Sequence, residues 1–293
     1  MIAVTGSQGF LGRAITRMLR EDGHYIRRFD AQFGHDVCQS ESCRSEGLHD
    51  VSTIVHCASP CSALMFREKP RWALIQTIRG MITLMTVAPA AHLIVLSTCT
   101  LYGDSAVPVS ESAPLPVVAP NAYAGAKRHC EELAALHTQM TGHATVLRVF
   151  TGYGPGDTLK GVYASPVGRF LDALTAGETP VIYGTGEQVR DFVYVDDVAR
   201  AVRDIVVAGQ DVVQLSTLAP LYNVGTGIGT SFNTVYELLQ EVTGIHRDPV
   251  YVPAPDGYVG SCVSNSLLLQ QHTGWTPRID LREGLRRAVE AQP

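Results

Sequence analysis

The chain lacks the features that mark membrane, nucleic-acid and zinc proteins. No apolar run is long enough to span a bilayer; the best stretch, residues 81–96, is broken by Pro89 and His92. Basic charge is not in excess, since 23 Lys and Arg face 28 Asp and Glu. The formal net charge of −5 leaves no footprint for nucleic acid. The seven cysteines include neither a CxxC pair nor the Cys/His spacing of a zinc site, so no metal is expected. An odd set with loosely spaced Cys38/Cys43 and Cys57/Cys61 reads as reduced thiols of a cytoplasmic protein. The opening Met1-Ile2-Ala3-Val4 has no basic segment before it, so no signal peptide is expected. Repeats and low-complexity tracts are also missing.

What is present is a chain of 293 residues, 45% hydrophobic and 17% charged. That supports a sizeable core, as one large domain or two closely joined ones. Residues 2–4 read as a short buried strand. Gly6, Gly9 and Gly12 follow, and Leu11, Ile15 and Leu19 then share one helical face. A strand, a glycine turn and a helix make a phosphate cradle. The first glycine permits the tight turn, the second lets backbone approach a pyrophosphate, and the third lets helix pack on strand. The glycines are spaced three and three, unlike the commoner dinucleotide fingerprint.

A second strand, 25–29, ends at Asp30, 18 residues past Gly12. A carboxylate there accepts from the adenosine ribose hydroxyls and repels a 2′-phosphate, which favours NAD over NADP. Arg27 and Arg28 read as a solvated strand end, and Asp36 and Val37 are placed beside the adenine. A third strand, 51–56, runs into Cys57-Ala58-Ser59, small residues that let a cofactor lie against backbone. After a helix over 71–85, a fourth strand, 93–96, ends in Ser97-Thr98-Cys99-Thr100-Leu101-Tyr102-Gly103. Hydroxyls at the carboxyl end of a parallel strand face the crevice where open α/β sheets bind ligands.

Past a proline-rich loop, Tyr123 and Lys127 stand four apart on a helix and share one face. A phenol near pKa ~10 is a poor base at neutral pH, and a neighbouring ammonium lowers that value. The pair suits proton transfer in an alcohol–ketone interconversion. The same spacing also describes an ordinary amphipathic helix with an exposed lysine. A strand over 144–150 completes an alternating series that predicts a doubly wound parallel sheet. Beyond residue 156 the reading is a helix over 168–176, a strand over 180–183, and a helix to residue 208 capped by Asp196 or Asp197. A strand over 221–224 follows, returning to the main sheet, then a helix capped by Ser231 and a last helix over 281–291.

Taken together and in order, these features resemble an extended short-chain dehydrogenase/reductase of the NAD-dependent epimerase/dehydratase type that acts on nucleotide sugars. The resemblance is carried by Gly6/Gly9/Gly12, Asp30, His56-Cys57-Ala58, Ser97-Thr98 before Leu101-Tyr102-Gly103, Tyr123 with Lys127, and Arg148 before Tyr153-Gly154-Pro155. It continues through the segment 184–197, Tyr222-Asn223-Val224-Gly225 and Gly274-Trp275-Thr276-Pro277. It implies a Rossmann domain over 1–155 with a return around 192–226, and a smaller, mainly substrate-binding α/β domain over 156–293. NAD is the implied cofactor, with Phe10, Leu11 and Phe150 added to the residues around it. Tyr123 resembles the general base. Lys127 resembles the residue that binds the nicotinamide ribose and depresses the tyrosine pKa. Thr98 matches the hydroxyl that steadies the reacting oxygen. A homodimer is implied, because the Tyr123 helix forms a four-helix bundle in relatives.

The departures narrow the chemistry. Cys99 and Thr100 occupy positions where dehydratases carry an Asp-Glu pair and uronic acid decarboxylases a Glu, so neither reaction is expected by the usual route. Thr151 stands where many relatives have Asn, and Gly260 where many have Arg. Arg190 is retained, either to clamp a phosphate oxygen or to pair with Asp191 or Asp196. The implied function is an NAD-dependent epimerase working through a transient keto sugar. The alternative is an NAD(P)-dependent reductase or dehydrogenase of a keto sugar or secondary-metabolite alcohol.

Overall fold

A computed structural model describes residues 1–105, 107–140 and 142–292. The elements in order are β1 (Ile2–Thr5), α1 (Phe10–Glu21), β2 (Ile26–Phe29), α2 (Ser40–Ser45), β3 (Thr53–His56), α3 (Ala63–Glu68), α4 (Pro70–Val87), β4 (His92–Thr98), α5 (Ala122–Met140) and β5 (His143–Val149). The second part holds β6 (Thr151–Tyr153), α6 (Pro166–Thr175), β7 (Val181–Tyr183), β8 (Val189–Tyr194), α7 (Val195–Ala208), α8 (Val212–Thr217), β9 (Leu221–Val224), β10 (Gly229–Ser231), α9 (Phe232–Thr243), β11 (Val250–Val252), α10 (Leu267–Thr273) and α11 (Leu281–Glu290). Among the described residues, no helix is long and apolar enough to cross a membrane.

Six parallel strands form the main sheet in the order β2-β1-β3-β4-β5-β9. β1, β3 and β4 are buried at every position, as strands covered by helices on both faces must be. The chain order reverses between β1 and β3. Ligands bind at such a switch point, outside the carboxyl ends of the strands. β9 does return to the sheet, beside β5. The second strand starts one residue later than expected: Tyr25 is 73% exposed, and its carbonyl accepts from the Ile2 N–H at a long 3.4 Å before the paired register begins at Ile26.

The later segments build two small sheets, β10-β8-β6 and β11-β7. They are joined to the main sheet by one continuous core that runs from Ile2 and Val4 through Val193 to Trp275 and Leu285. Burial of such apolar surface is the main stabilising term.

The expectation that Asp196 or Asp197 caps α7 is wrong. The helix begins one residue earlier, after Tyr194, and no side chain caps it; both acids lie in its first turn. There they meet the positive end of the helix dipole and find other partners. Asp196 pairs with Arg17. Asp197 is buried, pairs with Arg200, and accepts from the backbone N–H of Arg278 at 3.0 Å and Ile279 at 3.1 Å. The Trp275 indole donates to the Asp197 carbonyl at 2.9 Å. The Gly274-Trp275-Thr276-Pro277 segment is thus a strap tying the chain's end to α7. Ser231 does cap α9, accepting from the Thr234 N–H at 3.1 Å.

Two predictions follow from these buried polar groups. Asp197→Ala removes the ion-pair partner of Arg200, which keeps only its bond to the Thr276 carbonyl, and leaves two N–H groups unpaired; it is expected to cost about 3 kcal/mol in urea unfolding. A loss under about 1 kcal/mol would show that the strap carries little. The second concerns His56 and His92, held neutral in the sheet. Burial lowers His56 to about 3, with the Lys127 charge adding to the effect, and lowers His92 to about 4. An unfolded histidine titrates near ~6.5, so below that pH the unfolded chain binds more protons and stability falls as pH falls. Acidifying from about pH 7.5 to about pH 5 should cost about 2 kcal/mol for each histidine. His92→Gln should remove about half of that loss, read as the change in urea midpoint.

Candidate active site

The glycine turn after β1 is as tight as its spacing requires. Gly6 has φ +66° and a Cβ there would lie 2.7 Å from the Ala58 nitrogen. A Cβ on Gly12 would run into the Gly6 carbonyl. The Gly9 N–H donates to that carbonyl at 3.0 Å, and the Gly6 N–H to Phe29 at 2.8 Å. The turn therefore sits in the switch-point crevice, between the ends of β2 and β3. The buried Ser7 hydroxyl within it has no hydrogen-bond partner among the described residues. Asp30, at the end of β2, accepts from the Gln8 N–H at 2.8 Å and the Gln32 N–H at 2.9 Å. Each oxygen keeps a lone pair for a ribose hydroxyl. An orphaned hydroxyl, a tight glycine turn that exposes backbone and a carboxylate at its rim fit the pyrophosphate and ribose of NAD.

The other expected cofactor residues divide. Cys57 and Ala58 face the turn, with the Ala58 N–H donating to Thr5 Oγ1 at 3.3 Å and Thr5 Oγ1 bonded to His56 Nδ1 at 2.9 Å. Ser59 meets Thr77 Oγ1 at 3.3 Å. Phe10 and Leu11 pack toward Gly152, bridging the first turn and the end of β5. Asp36 spends its carboxylate on its own turn, accepting from Cys38 N–H and Gln39 Nε2, each at 2.8 Å. Val37 packs into the core below α4. The Phe150 side chain is buried, stacked near Tyr102 with ring centroids 6.3 Å apart.

Tyr123 and Lys127 lie one turn apart on α5, and Thr98 ends β4 opposite them. The Thr98 hydroxyl lies beside the Tyr123 phenol and meets Thr100 Oγ1 at 3.0 Å. The expected lowering of the phenol pKa by Lys127 is not what the geometry gives. Burial raises the Tyr123 pKa, nearby thiols including Cys61 add to the rise, and only the Thr98 hydroxyl opposes it. Lys127 is itself buried, its pKa lowered by that burial, and its Nζ donates to the Leu96 carbonyl at 2.9 Å.

One further turn along α5, Glu131 accepts from Ser97 Oγ at 2.5 Å, Arg148 Nε at 2.9 Å and Arg148 NH2 at 2.6 Å. The Arg148 guanidinium lies 4.7 Å from the Tyr102 ring centroid, and the Tyr102 hydroxyl donates to Asn223 Oδ1 at 2.7 Å. Asn121 at the head of α5 accepts from the Ala124 N–H at 3.0 Å and donates to the Gly257 carbonyl at 3.1 Å.

A cavity of about 540 Å³ opens beside this apparatus, lined by Cys99, Thr100, Ala122, Thr151, Arg190 and residues of the later segments. Arg190 forms no ion pair with either neighbouring acid. Asp191 is taken by Thr226, Gly227 and Ser264, and Asp196 by Arg17. Arg190 instead donates to the Gly260 carbonyl and lies 5.5 Å from the Tyr258 ring and 5.6 Å from Phe232. Cys99 is buried beside Cys262, whose thiol donates to the Cys99 carbonyl at 3.8 Å, and this neighbour together with burial pushes the Cys99 thiol well above the usual range. It stays a thiol at neutral pH.

Sequence reasoning missed Arg169, which lines the same cavity with its guanidinium 5.0 Å from the Tyr183 ring. Tyr183 in turn meets Tyr258 at 5.7 Å. It also missed Arg67 on α3. Neither had a local signal, because each is a single basic residue within an otherwise unremarked helix. Among the described residues, no group of three His, Cys, Asp or Glu side chains is placed to hold a metal.

The chain as a whole is similar to known proteins. The chain is 27% identical over 309 residues to a putative UDP-glucose 4-epimerase of Methanocaldococcus jannaschii, covering 99% of this chain and 97% of that one. The crystal structure of UDP-glucose 4-epimerase from Thermotoga maritima with UDP-glucose superposes with a TM-score of 0.89 at 28% identity, covering 99% and 97%. That of MoeE5 with UDP-glucuronic acid and NAD gives 0.82 at 26% identity, covering 99% and 98%. Residues 2–225, a stretch that includes the glycine turn, Thr98, Tyr123, Lys127 and Arg190, match the model of one family: the chain belongs to the NAD dependent epimerase/dehydratase family.

Proposed function

We propose that the protein is an NAD-dependent epimerase of a nucleotide sugar, inverting one ring carbon through a transient keto sugar. The observation that carries this reading is the trio of buried Thr98 and Lys127 with half-buried Tyr123, set between the glycine cradle and the arginine-bearing cavity. Bound NAD supplies the hydride acceptor and donor. Gly6, Gly9, Gly12 and Ser7 cradle its pyrophosphate and Asp30 accepts from its adenosine ribose. Phe10, Leu11, Asp36, Val37, Cys57, Ala58, Ser59 and Phe150 form the surrounding wall, and Lys127 holds the nicotinamide ribose.

Tyr123 takes the proton of the reacting sugar hydroxyl and returns it to the same oxygen. Burial disfavours the ionised phenol, and a cation beside it, Lys127 or the bound nicotinamide ring, would favour the form that accepts the proton. Thr98 fixes the oxygen within reach of the phenol. Neither Cys99 nor Thr100 is an acid near neutral pH, so nothing at those positions protonates a leaving hydroxyl and the sugar keeps its oxygens. Arg190 and Arg169, each braced on an aromatic ring, take the diphosphate, with Thr151 beside them.

In this reading residues 1–155, with the return over 192–226, hold the cofactor, and residues 156–293 hold mainly the substrate. A homodimer through α4 and α5 accounts for the exposed Trp72, Ile75, Ile82, Leu136 and Met140 on those helices. Seven free thiols suit a reducing compartment.

The test is incubation of the purified protein with UDP-glucose or UDP-glucuronate and no added cofactor, with products read by NMR. A product inverted at one carbon is expected, and no turnover by folded, NAD-loaded protein would sink the reading. Tyr123→Phe should lower kcat by at least ~100-fold while NAD still co-purifies. Arg169→Ala should raise KM about tenfold and leave kcat within about threefold, as loss of a remote phosphate contact does. Unchanged KM would remove Arg169 from the diphosphate site.

A further inference from the structure

The cavity carries one more cation than a diphosphate engages. Arg67, Arg169 and Arg190 line it, with Asp256 as the single lining carboxylate. Arg169 and Arg190 are braced against the rings of Tyr183 and Tyr258. Arg67 has no hydrogen bond, ion pair or ring contact among the described residues, and Asp256 lies exposed on the tail loop without pairing to it.

The position of Arg67 is fixed by its neighbours on α3. Phe66 is 1% exposed and packs edge-on against Tyr123, with ring centroids 5.6 Å apart. Glu68 accepts from the Tyr163 hydroxyl at 2.6 Å, which pins α3 to the opposite wall. The Ser62 hydroxyl caps the helix, accepting from the Met65 N–H at 3.2 Å. Arg67 thus lines the cavity from the helix whose Phe66 touches Tyr123. A guanidinium at a cavity wall binds a carboxylate bidentately, with geometry that a neutral hydroxymethyl group does not match.

We propose that the substrate is a nucleotide sugar with a carboxylate on its sugar ring, and that Arg67 is the residue that reads that carboxylate. This rests on the nucleotide-sugar reading above. UDP-glucuronate and UDP-glucose form the discriminating pair, since they differ only by a carboxylate against a hydroxymethyl. The wild-type protein should favour UDP-glucuronate in kcat/KM by about tenfold or more. Arg67→Met should lower kcat/KM for UDP-glucuronate by about thirtyfold and change that for UDP-glucose by less than about threefold. Arg67→Lys, which keeps the charge and loses the fork, should fall between them. Because Arg67 is exposed, NAD content and the urea midpoint of both variants should match the wild type.

A wild-type preference for UDP-glucose overturns the proposal and leaves the epimerase reading standing. Equal losses on both sugars in Arg67→Met, or no loss on either, overturn it in the same way. Turnover of neither sugar by the NAD-loaded wild type removes the epimerase reading, and this proposal with it.

Discussion

The buried ion pair between Glu131 and Arg148 is the contact on which the site's geometry depends. Its side chains are 12% and 5% exposed, and the pairing is bidentate. Glu131 stands on α5, on the face that carries Tyr123 and Lys127. Arg148 stands on β5, just before Thr151. Ser97, beside Thr98 at the end of β4, donates to the same carboxylate. One carboxylate thus registers the helix with the base against two strands carrying polar groups of the cavity. A buried pair of this kind contributes little net stability, yet breaking it leaves an uncompensated charge costing about 3–5 kcal/mol. Its value here is positional, since groups that transfer a proton must be held within hydrogen-bond reach.

Around that registration the sheet sets two half-sites on either side of Tyr123. On one side the switch point between β1 and β3 brings the glycine turn so close to Ala58 that Gly6 admits no side chain, and the helix so close to Gly6 that Gly12 admits none. On the other, the tail loop is tied to α5 by Asn121 and Gly257, and to the 3₁₀ turn Cys99–Tyr102 by the Cys99–Cys262 contact. The dryness that raises the Tyr123 pKa follows from being enclosed by both. Lys127 lies in the same dry interior, bonded to a strand carbonyl, so its charge is held in place without pairing to the phenol.

The parallel sheet, the glycine turn and the shared face of Tyr123 and Lys127 were legible in the chain because each depends on local spacing, whereas Thr98 joined them through the family resemblance. A buried parallel strand reads as an apolar run, a tight turn demands glycine, and a four-residue interval puts two side chains on one helix face. What was illegible depends on contacts between distant segments. The pKa direction of Tyr123 was misjudged because spacing reveals a neighbouring ammonium and says nothing of burial. Asp196 and Asp197 were misassigned as caps because their partners, Arg17 and the strap over residues 275–279, lie far away in sequence. Arg67 and Arg169 joined the cavity only once α3 and α6 were packed against the same space. The alternative for Arg190, an ion pair with an adjacent acid, was settled by the competing partners of Asp191 and Asp196.

The central claim is that hydride leaves one sugar carbon and returns to that same carbon, with Tyr123 moving only the hydroxyl proton. The direct measurement is turnover of an unlabelled nucleotide sugar in deuterium oxide without added cofactor, with the product examined by NMR and mass spectrometry. The account predicts an epimer carrying no solvent deuterium at the inverted carbon. Deuterium at that carbon, or a keto product that accumulates with reduced nucleotide, would contradict it.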